Sequence, residues 1–146
     1  MPIASASMRL YCAQLAADKK TVGGLLEGIG LVAGLPDDHP LAAEINRNVE
    51  QWAAEILNLA DKEFQAGNLD KALAIARKIP NHLKAYRLVE ERIGRWQSIW
   101  AEAEGAFAEV ERQLRLSNWN EAFRAAVQLT SIDNQYWATT KYEETV

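Results

Sequence analysis

The sequence is poor in the residues that mark a secreted, disulfide-bonded or loop-rich protein. Its 146 residues include one cysteine, four prolines, eight glycines and two histidines. Because Cys12 is the only cysteine, a disulfide within the chain is excluded and a reducing compartment is the natural setting. The N-terminal segment lacks the basic start and apolar core of a secretory signal. We therefore expect a cytoplasmic protein, or the cytoplasm-facing part of a larger one.

Long apolar runs, an excess of positive charge and β-branched runs are also missing. No stretch of about 18 or more apolar residues occurs, so we expect no membrane span in this segment. With 16 basic and 20 acidic residues, the formal net charge of -4 gives no reason to expect nucleic acid as a partner. The remainder is rich in alanine, leucine and glutamate, a composition that favours helix. We therefore expect an all-α protein.

Two segments of the chain match at an offset of 44 residues. When 22–56 is placed over 66–100, the apolar positions persist while the charged ones differ, and Trp52 falls on Trp96. In this alignment Gly23 takes the place of Gly67. Persistence of apolar positions is typical of a duplicated structural unit.

A third copy follows at a longer spacing of 50 residues. There "GNLDKALAIARKI" at 67–79 is echoed by "SNWNEAFRAAVQL" at 117–129. The sequence thus predicts a single helical-repeat domain over 1–146, with units of about 21–65, 66–116 and 117–146, the last one incomplete. Because the first copy also begins partway through, we expect the chain to be a fragment of a larger protein.

Each unit is predicted to contain a short helix and a long one. Gly67 is suited to the turn before the short helix, and Asn68 or Asn118 to its N-cap. The long helix 83–116 carries apolar residues at alternating steps of three and four, a heptad seam. The seam residues are Tyr86, Val89, Ile93, Trp96, Trp100, Ala103, Phe107, Val110 and Leu114. We expect an antiparallel helical-hairpin repeat array with alternating short and long helices.

The turn between helices resembles that of tetratricopeptide-like repeat proteins. Its residues in this chain are Ala60, Gly67, Leu69 and Ala72, and again Ser117, Trp119 and Ala122. The resemblance covers the turns and their flanks. It implies a scaffold that binds other proteins and has no chemistry of its own.

The glycine-rich segment "GIGLVAG" at 28–34 allows three interpretations. A dinucleotide loop needs a preceding strand and the spacing G-x-G-x-x-G, and neither is present. A membrane helix pair needs a longer apolar run than this one. Close packing of helices in a soluble hairpin explains the four-residue spacing of Gly24 and Gly28, and we favour it.

No arrangement of residues predicts catalysis, a cofactor or a metal. The two histidines, His39 and His82, each follow a proline-stopped helix, and "DDHP" at 37–40 is better explained by Asp37 or Asp38 capping the next helix. Cys12 has no motif around it and is expected to be a small buried residue. We therefore expect neither an enzyme nor a bound cofactor.

A cluster of basic residues between 77 and 95 is the candidate binding surface. It is either a solvated face or a docking patch for an acidic protein partner. Large apolar residues near helix starts are candidate anchors, although Trp119 is expected in the core because Leu25 and Leu69 occupy its place. The candidate partner-binding residues are Arg77, Lys84, Arg87, Arg95 and Trp137.

The sequence thus favours a non-catalytic protein-interaction or assembly scaffold built from helical-hairpin repeats. The alternative is a coiled-coil-type structural element that associates with itself through helix 83–116.

Overall fold

A computed structural model describes residues 5–36 and 38–145. Every regular element in these two ranges is helical, which confirms the predicted all-α class. In chain order the helices are α1 (Ala6–Ala17), α2 (Val22–Leu31), α3 (Ala42–Gln65), α4 (Leu69–Ala76), α5 (Tyr86–Arg115), α6 (Trp119–Gln128) and α7 (Tyr142–Thr145). A 3₁₀ turn, Leu129–Ser131, follows α6, and a π-helix, Tyr136–Lys141, leads into α7. Of the helices that the structure describes, none combines the length and the apolar character needed to cross a membrane.

The chain divides into two compact units, each built from two separate stretches of sequence. Unit 1 contains the described residues of Met1–Ala60 and Leu73–Glu90, and unit 2 those of Asp61–Ala72 and Glu91–Val146.

In unit 1, α1 and α2 approach so closely that α2 has glycine at the contact. A Cβ atom on Gly24 would lie 2.5 Å from the carbonyl oxygen of Ala16, and one on Gly28 would lie 2.8 Å from that of Ala13. Both distances are shorter than van der Waals contact, and the atoms met are backbone. The four-residue spacing therefore serves close helix packing, as predicted from the sequence.

Side chains form hydrogen bonds with free backbone groups at both ends of α2. At the start, the Thr21 hydroxyl accepts the Gly24 N–H at 3.0 Å. At the end, the Arg9 guanidinium donates to the carbonyls of Leu31 (2.8 Å) and Ala33 (2.9 Å). A cation also interacts favourably with the partial negative charge at a helix C-terminus. These bonds stabilise a short helix that its four glycines would otherwise weaken.

The predicted heptad seam of α5 is largely buried. Trp96 is 1% exposed and Val89 is fully buried. The equivalent positions of α3, among them Trp52, are also buried. The last seam residue, Leu114, is 41% exposed, and Gln113 is buried in its place. Five of the nine seam residues are thus buried within the protein: Val89, Ile93, Trp96, Ala103 and Val110.

The turns that end α3 and α5 share one geometry. At the first, Gly67 has φ +91° and donates to the Phe64 carbonyl, while the Asn68 N–H reaches the Glu63 carbonyl. At the second, Ser117 (φ +58°) and Asn118 make the corresponding bonds to Leu114 and Gln113. This is the Schellman pattern, which satisfies the last carbonyls of a helix. The predicted correspondence of Gly67 and Ser117 therefore agrees with the backbone.

The Asn side chains at these turns do not act as the predicted N-caps. Asn118 makes no side-chain cap bond, and its amide donates to the Gln113 side chain at 3.0 Å. Asn68 donates in the same way to Glu63 at 2.9 Å. Each Asn therefore fastens the turn to the helix before it.

The predicted register of the first copy is wrong by three residues. Gly23 lies inside α2, and the residue with positive φ before α2 is Lys20, at +57°. Lys20 precedes Gly67 by 47 residues rather than 44. In the corrected register the buried residues of α2, such as Leu25 and Ile29, coincide with the buried Ala72 and Ala76 of α4.

The core of unit 2 is an aromatic cluster. Phe64 stacks on Trp96 with ring centroids 5.5 Å apart, and Trp100 lies between Phe64, at 6.2 Å, and Trp137, at 5.2 Å. Tyr136 stacks on Trp100 at 6.3 Å, and its ring also fills the space where Gly67 would carry a Cβ atom. Gly67 is thus required by both its positive φ and this contact.

One buried amide fastens the C-terminal part of unit 2 to the end of α3. Asn134 is 2% exposed, and its Nδ2 donates to the Phe64 carbonyl at 2.6 Å while its Oδ1 accepts the Trp137 N–H at 3.1 Å. The Gln135 N–H adds a bond to the Gln65 side chain at 2.8 Å. Both partners of Asn134 are buried, so the loss of this amide would leave polar groups unpaired.

At the end of α5, Glu109 is held by its neighbours on the same helix. Arg112 donates to both of its carboxylate oxygens, at 2.9 and 3.0 Å, and Gln113 adds a bond of 2.7 Å. These hydrogen bonds, that of Arg112 first, lower the pKa of the Glu109 carboxyl from 4.5 to about 2.

We expect this carboxylate to contribute to acid sensitivity. A lowered pKa means that the ionised form stabilises the fold above the ordinary value of 4.5, and that this contribution is lost as the pH falls towards 2. Glu109→Gln should therefore flatten the fall of Tm with pH in this window, as measured by circular dichroism. The control is Glu111→Gln, an exposed acid on the same helix. Equal slopes for the two variants would contradict the assignment.

Two smaller expectations also need correction. Cys12 is exposed rather than buried. At the start of α3, the ring Nδ1 of His39 accepts the Leu41 N–H at 3.0 Å, so His39 rather than Asp38 provides the side-chain acceptor. The other residue predicted for this role, Asp37, lies outside the described residues.

Candidate functional site

A groove of about 670 Å³ opens on unit 1. Its apolar lining comes from the end of α2 and the first turns of α3, with Val32, Ile45 and Val49 all less than one-tenth exposed. The loop before α5 contributes His82, Leu83 and Lys84 to the rim. The groove therefore combines an apolar floor with polar side chains at its edge.

The rim loop is fixed by Glu50 of α3. One carboxylate oxygen accepts the Lys84 N–H and the other the Ala85 N–H, each at 2.9 Å. The negative charge thereby lies at the N-terminus of α5, where the helix dipole favours it. Because both Glu50 oxygens are engaged, the only carboxylate among the described lining residues is already used within the protein.

The cationic residues at this end of unit 1 are not neutralised. Arg47 and Lys84 line the groove, and both are exposed, as are Arg77 and Arg87. In the described part of the chain, none of these four side chains forms an ion pair. An anionic group would therefore meet cations that are free to bind it.

Arg77 also lies near the start of α5. The pKa of the Tyr86 phenol is raised, mainly by its hydrogen bond to Glu90, and the charge of Arg77 opposes that rise. Three of the predicted site residues, Arg77, Lys84 and Arg87, belong to unit 1 and are exposed.

The other two predicted site residues belong to unit 2. Arg95 is exposed and paired with Asp133 at 3.2 Å. Trp137 is 5% exposed and packs among Trp100, Phe107 and Tyr136, so it presents no surface to a partner. The predicted roles of the tryptophans are reversed, because Trp119, expected in the core, is 65% exposed.

Arg47 was not among the residues predicted for the site. It stands 30 positions before Arg77 in a helix with mixed charges, and only the fold places it beside Lys84. The exposed face of α6 did leave a signal, since Trp119, Phe123 and Val127 recur at four-residue steps. Trp119 was nevertheless predicted to lie in the core, because Leu25 and Leu69 occupy its place in the other copies.

The described lining of the groove includes one histidine, His82. Its carboxylate is that of Glu50, and the described lining residues include no serine, threonine, cysteine or tyrosine. Among the described residues, no three histidine, cysteine or acidic side chains come together as a metal site would require. No family model, curated protein or solved structure matches this chain.

Proposed function

We propose that the protein is a non-catalytic interaction scaffold built from helical-hairpin repeats, and that the groove of unit 1 binds an acidic segment of a protein partner. The alternation of helix lengths and the shared geometry of the turns at Gly67 and Ser117 support the repeat architecture. The single exposed cysteine fits a cytoplasmic setting, where it stays reduced.

The observation that carries the proposal is the cationic rim above an apolar floor. Arg47 and Lys84 border a groove whose lining includes Val32, Ile45 and Val49. A peptide with acidic and apolar side chains at neighbouring positions would satisfy both surfaces at once. Arginine is especially suited to carboxylates because its guanidinium donates two parallel hydrogen bonds. The burial of the α5 seam disfavours the alternative of self-association through helix 83–116.

The test is a titration with a fluorescein-labelled peptide in which pairs of leucine and glutamate alternate, followed by fluorescence anisotropy. We expect the double variant Arg47→Glu, Lys84→Glu to weaken binding at least about ten-fold, because two attractions become repulsions. Added salt should weaken binding to the wild type.

Two matched controls make the result specific. The variant Arg95→Glu, Arg124→Glu makes the same change of net charge on unit 2, and it should bind as the wild type does. A peptide with lysine in place of glutamate should not bind. The proposal fails if both peptides bind equally, or if the two double variants lose binding to the same extent.

A further inference from the structure

The surface of α6 is unusual because its large apolar side chains point outward. Trp119 is 65% exposed, Phe123 58% and Val127 41%, and their four-residue spacing places them along one side of the helix. We call these three residues the α6 stripe. The inward positions of α6 are instead alanines, Ala122, Ala125 and Ala126.

The corresponding face of α4 is covered. When α4 and α6 are aligned by their preceding turns at Gly67 and Ser117, Leu69 is equivalent to Trp119, and Leu73 is equivalent to Phe123. Leu73 is only 9% exposed and Leu69 is half-buried. The position that α4 fills with a covered leucine therefore carries, in α6, a larger aromatic side chain exposed to water. Contiguous apolar surface of this kind marks an interaction site.

We infer that the α6 stripe is a self-association surface, and that its occupant is the same stripe of a second copy of this chain. The charge pattern supports a like-with-like contact. The charged residues of α6 are Glu121 and Arg124, which pair with each other at 3.0 Å. An apolar stripe with a neutral flank is self-complementary, so two copies can meet without repulsion between like charges.

The available area fits a reversible dimer. Leu114 and Leu116, at the end of α5, are 41% and 56% exposed and extend the apolar surface at the start of α6. From the area typical of aromatic side chains, these five residues offer roughly 450 Å² per copy, or about 900 Å² across the pair. With flanking polar contacts, the total reaches the approximately 1,000 Å² at which weak but specific interfaces begin. This surface belongs to unit 2, and the inference does not depend on the function proposed for the groove of unit 1.

The test is sedimentation equilibrium of the whole chain from low to high micromolar concentration. We expect the wild type to follow a monomer–dimer equilibrium, and Trp119→Ser, Phe123→Ser to weaken dimerisation at least about ten-fold. Both side chains are exposed, so the circular dichroism spectrum and Tm of the monomer should be unchanged. A second variant, Phe123→Glu, should have a similar effect because the pairing would bring two carboxylates together.

The matched control removes two equally exposed apolar side chains from α1. Tyr11 is 61% exposed and Leu15 52%, and Tyr11→Ser, Leu15→Ser should dimerise as the wild type does. The inference is overturned by a wild type that remains monomeric at every concentration. It is also overturned if the α1 variant loses the dimer while both α6 variants keep it.

Discussion

Replacing Gly24 or Gly28 with alanine is expected to lower the free energy of unfolding by about 1–3 kcal/mol each, the usual cost of overpacking. The added methyl group would meet the backbone oxygen of Ala16 or Ala13 at 2.5 or 2.8 Å, so α1 would have to move. A second contact adds to the effect at Gly28, because the Trp52 ring would lie 3.4 Å from the new Cβ atom. Chemical denaturation followed by circular dichroism measures the change.

The same helix provides a matched control, for which the expected change in the free energy of unfolding has the opposite sign. Gly30 has no neighbouring atom within 4 Å of a Cβ position, so Gly30→Ala adds no clash. Alanine is the better helix former, and this variant should gain up to about 1 kcal/mol. If Gly24→Ala and Gly28→Ala also gained stability, the close packing of α1 on α2 would be wrong.

Trp96→Ala is expected to cost about 3–5 kcal/mol, the range for removing a buried tryptophan from a core. Its ring is 1% exposed and stacked on Phe64, so the truncation leaves a cavity beside an aromatic neighbour. The indole N–H also donates to Asp61 at 3.2 Å. Denaturant titration monitored by circular dichroism would measure the loss.

Two further tryptophan variants separate packing from the other effects. Trp96→Phe keeps an aromatic ring against Phe64 while it removes the bond to Asp61, so it should cost less than the alanine variant. Trp119→Ala removes an equally large but exposed side chain, and at concentrations where the chain is monomeric it should change stability by less than about 0.5 kcal/mol. Equal losses for Trp96→Ala and Trp119→Ala would contradict the burial described for unit 2.

The long helices were predictable because their pattern is long and regular. The seam of α5 steps by three and four over nine residues, and Ile93, Trp96 and Ala103 are buried as that pattern requires. The pattern fails only at Leu114. Near this end Val110 packs with Ala125 and Ala126 of α6, and Gln113 is the buried residue instead. Periodicity within one helix carries no information about which neighbour covers its last turn.

The start of the first short helix was misread because glycine was taken as the sign of a turn. Lys20 adopts positive φ there, a conformation that costs a non-glycine residue roughly 1–2 kcal/mol. The glycines that follow are needed for a different reason, the approach of α1. The spacing of the glycines correctly indicated that two helices pack closely. It could not show which glycine serves a turn and which one serves this packing.

The candidate groove was only partly visible in the sequence. Arg77, Lys84 and Arg87 lie close together in the chain and were recognisable as a basic cluster. Arg47 and the apolar floor come from α2 and α3, so they join the site only through folding. The sequence could not show which tryptophans are buried and which are exposed, because a side chain is equally apolar in a core and on an exposed helix face.

The bond from Asn134 to the Phe64 carbonyl has a consequence for synthesis on the ribosome. The two residues are 70 positions apart, and unit 2 cannot close until Asn134 has been made. At translation rates of about 5–20 residues per second, this leaves an interval of roughly 4–14 s. Once they are made, Trp100 and Phe107 lack their aromatic partner Trp137 during this time, and Trp100 also lacks Tyr136. The nascent chain therefore exposes these apolar rings until the C-terminal part of unit 2 has been made.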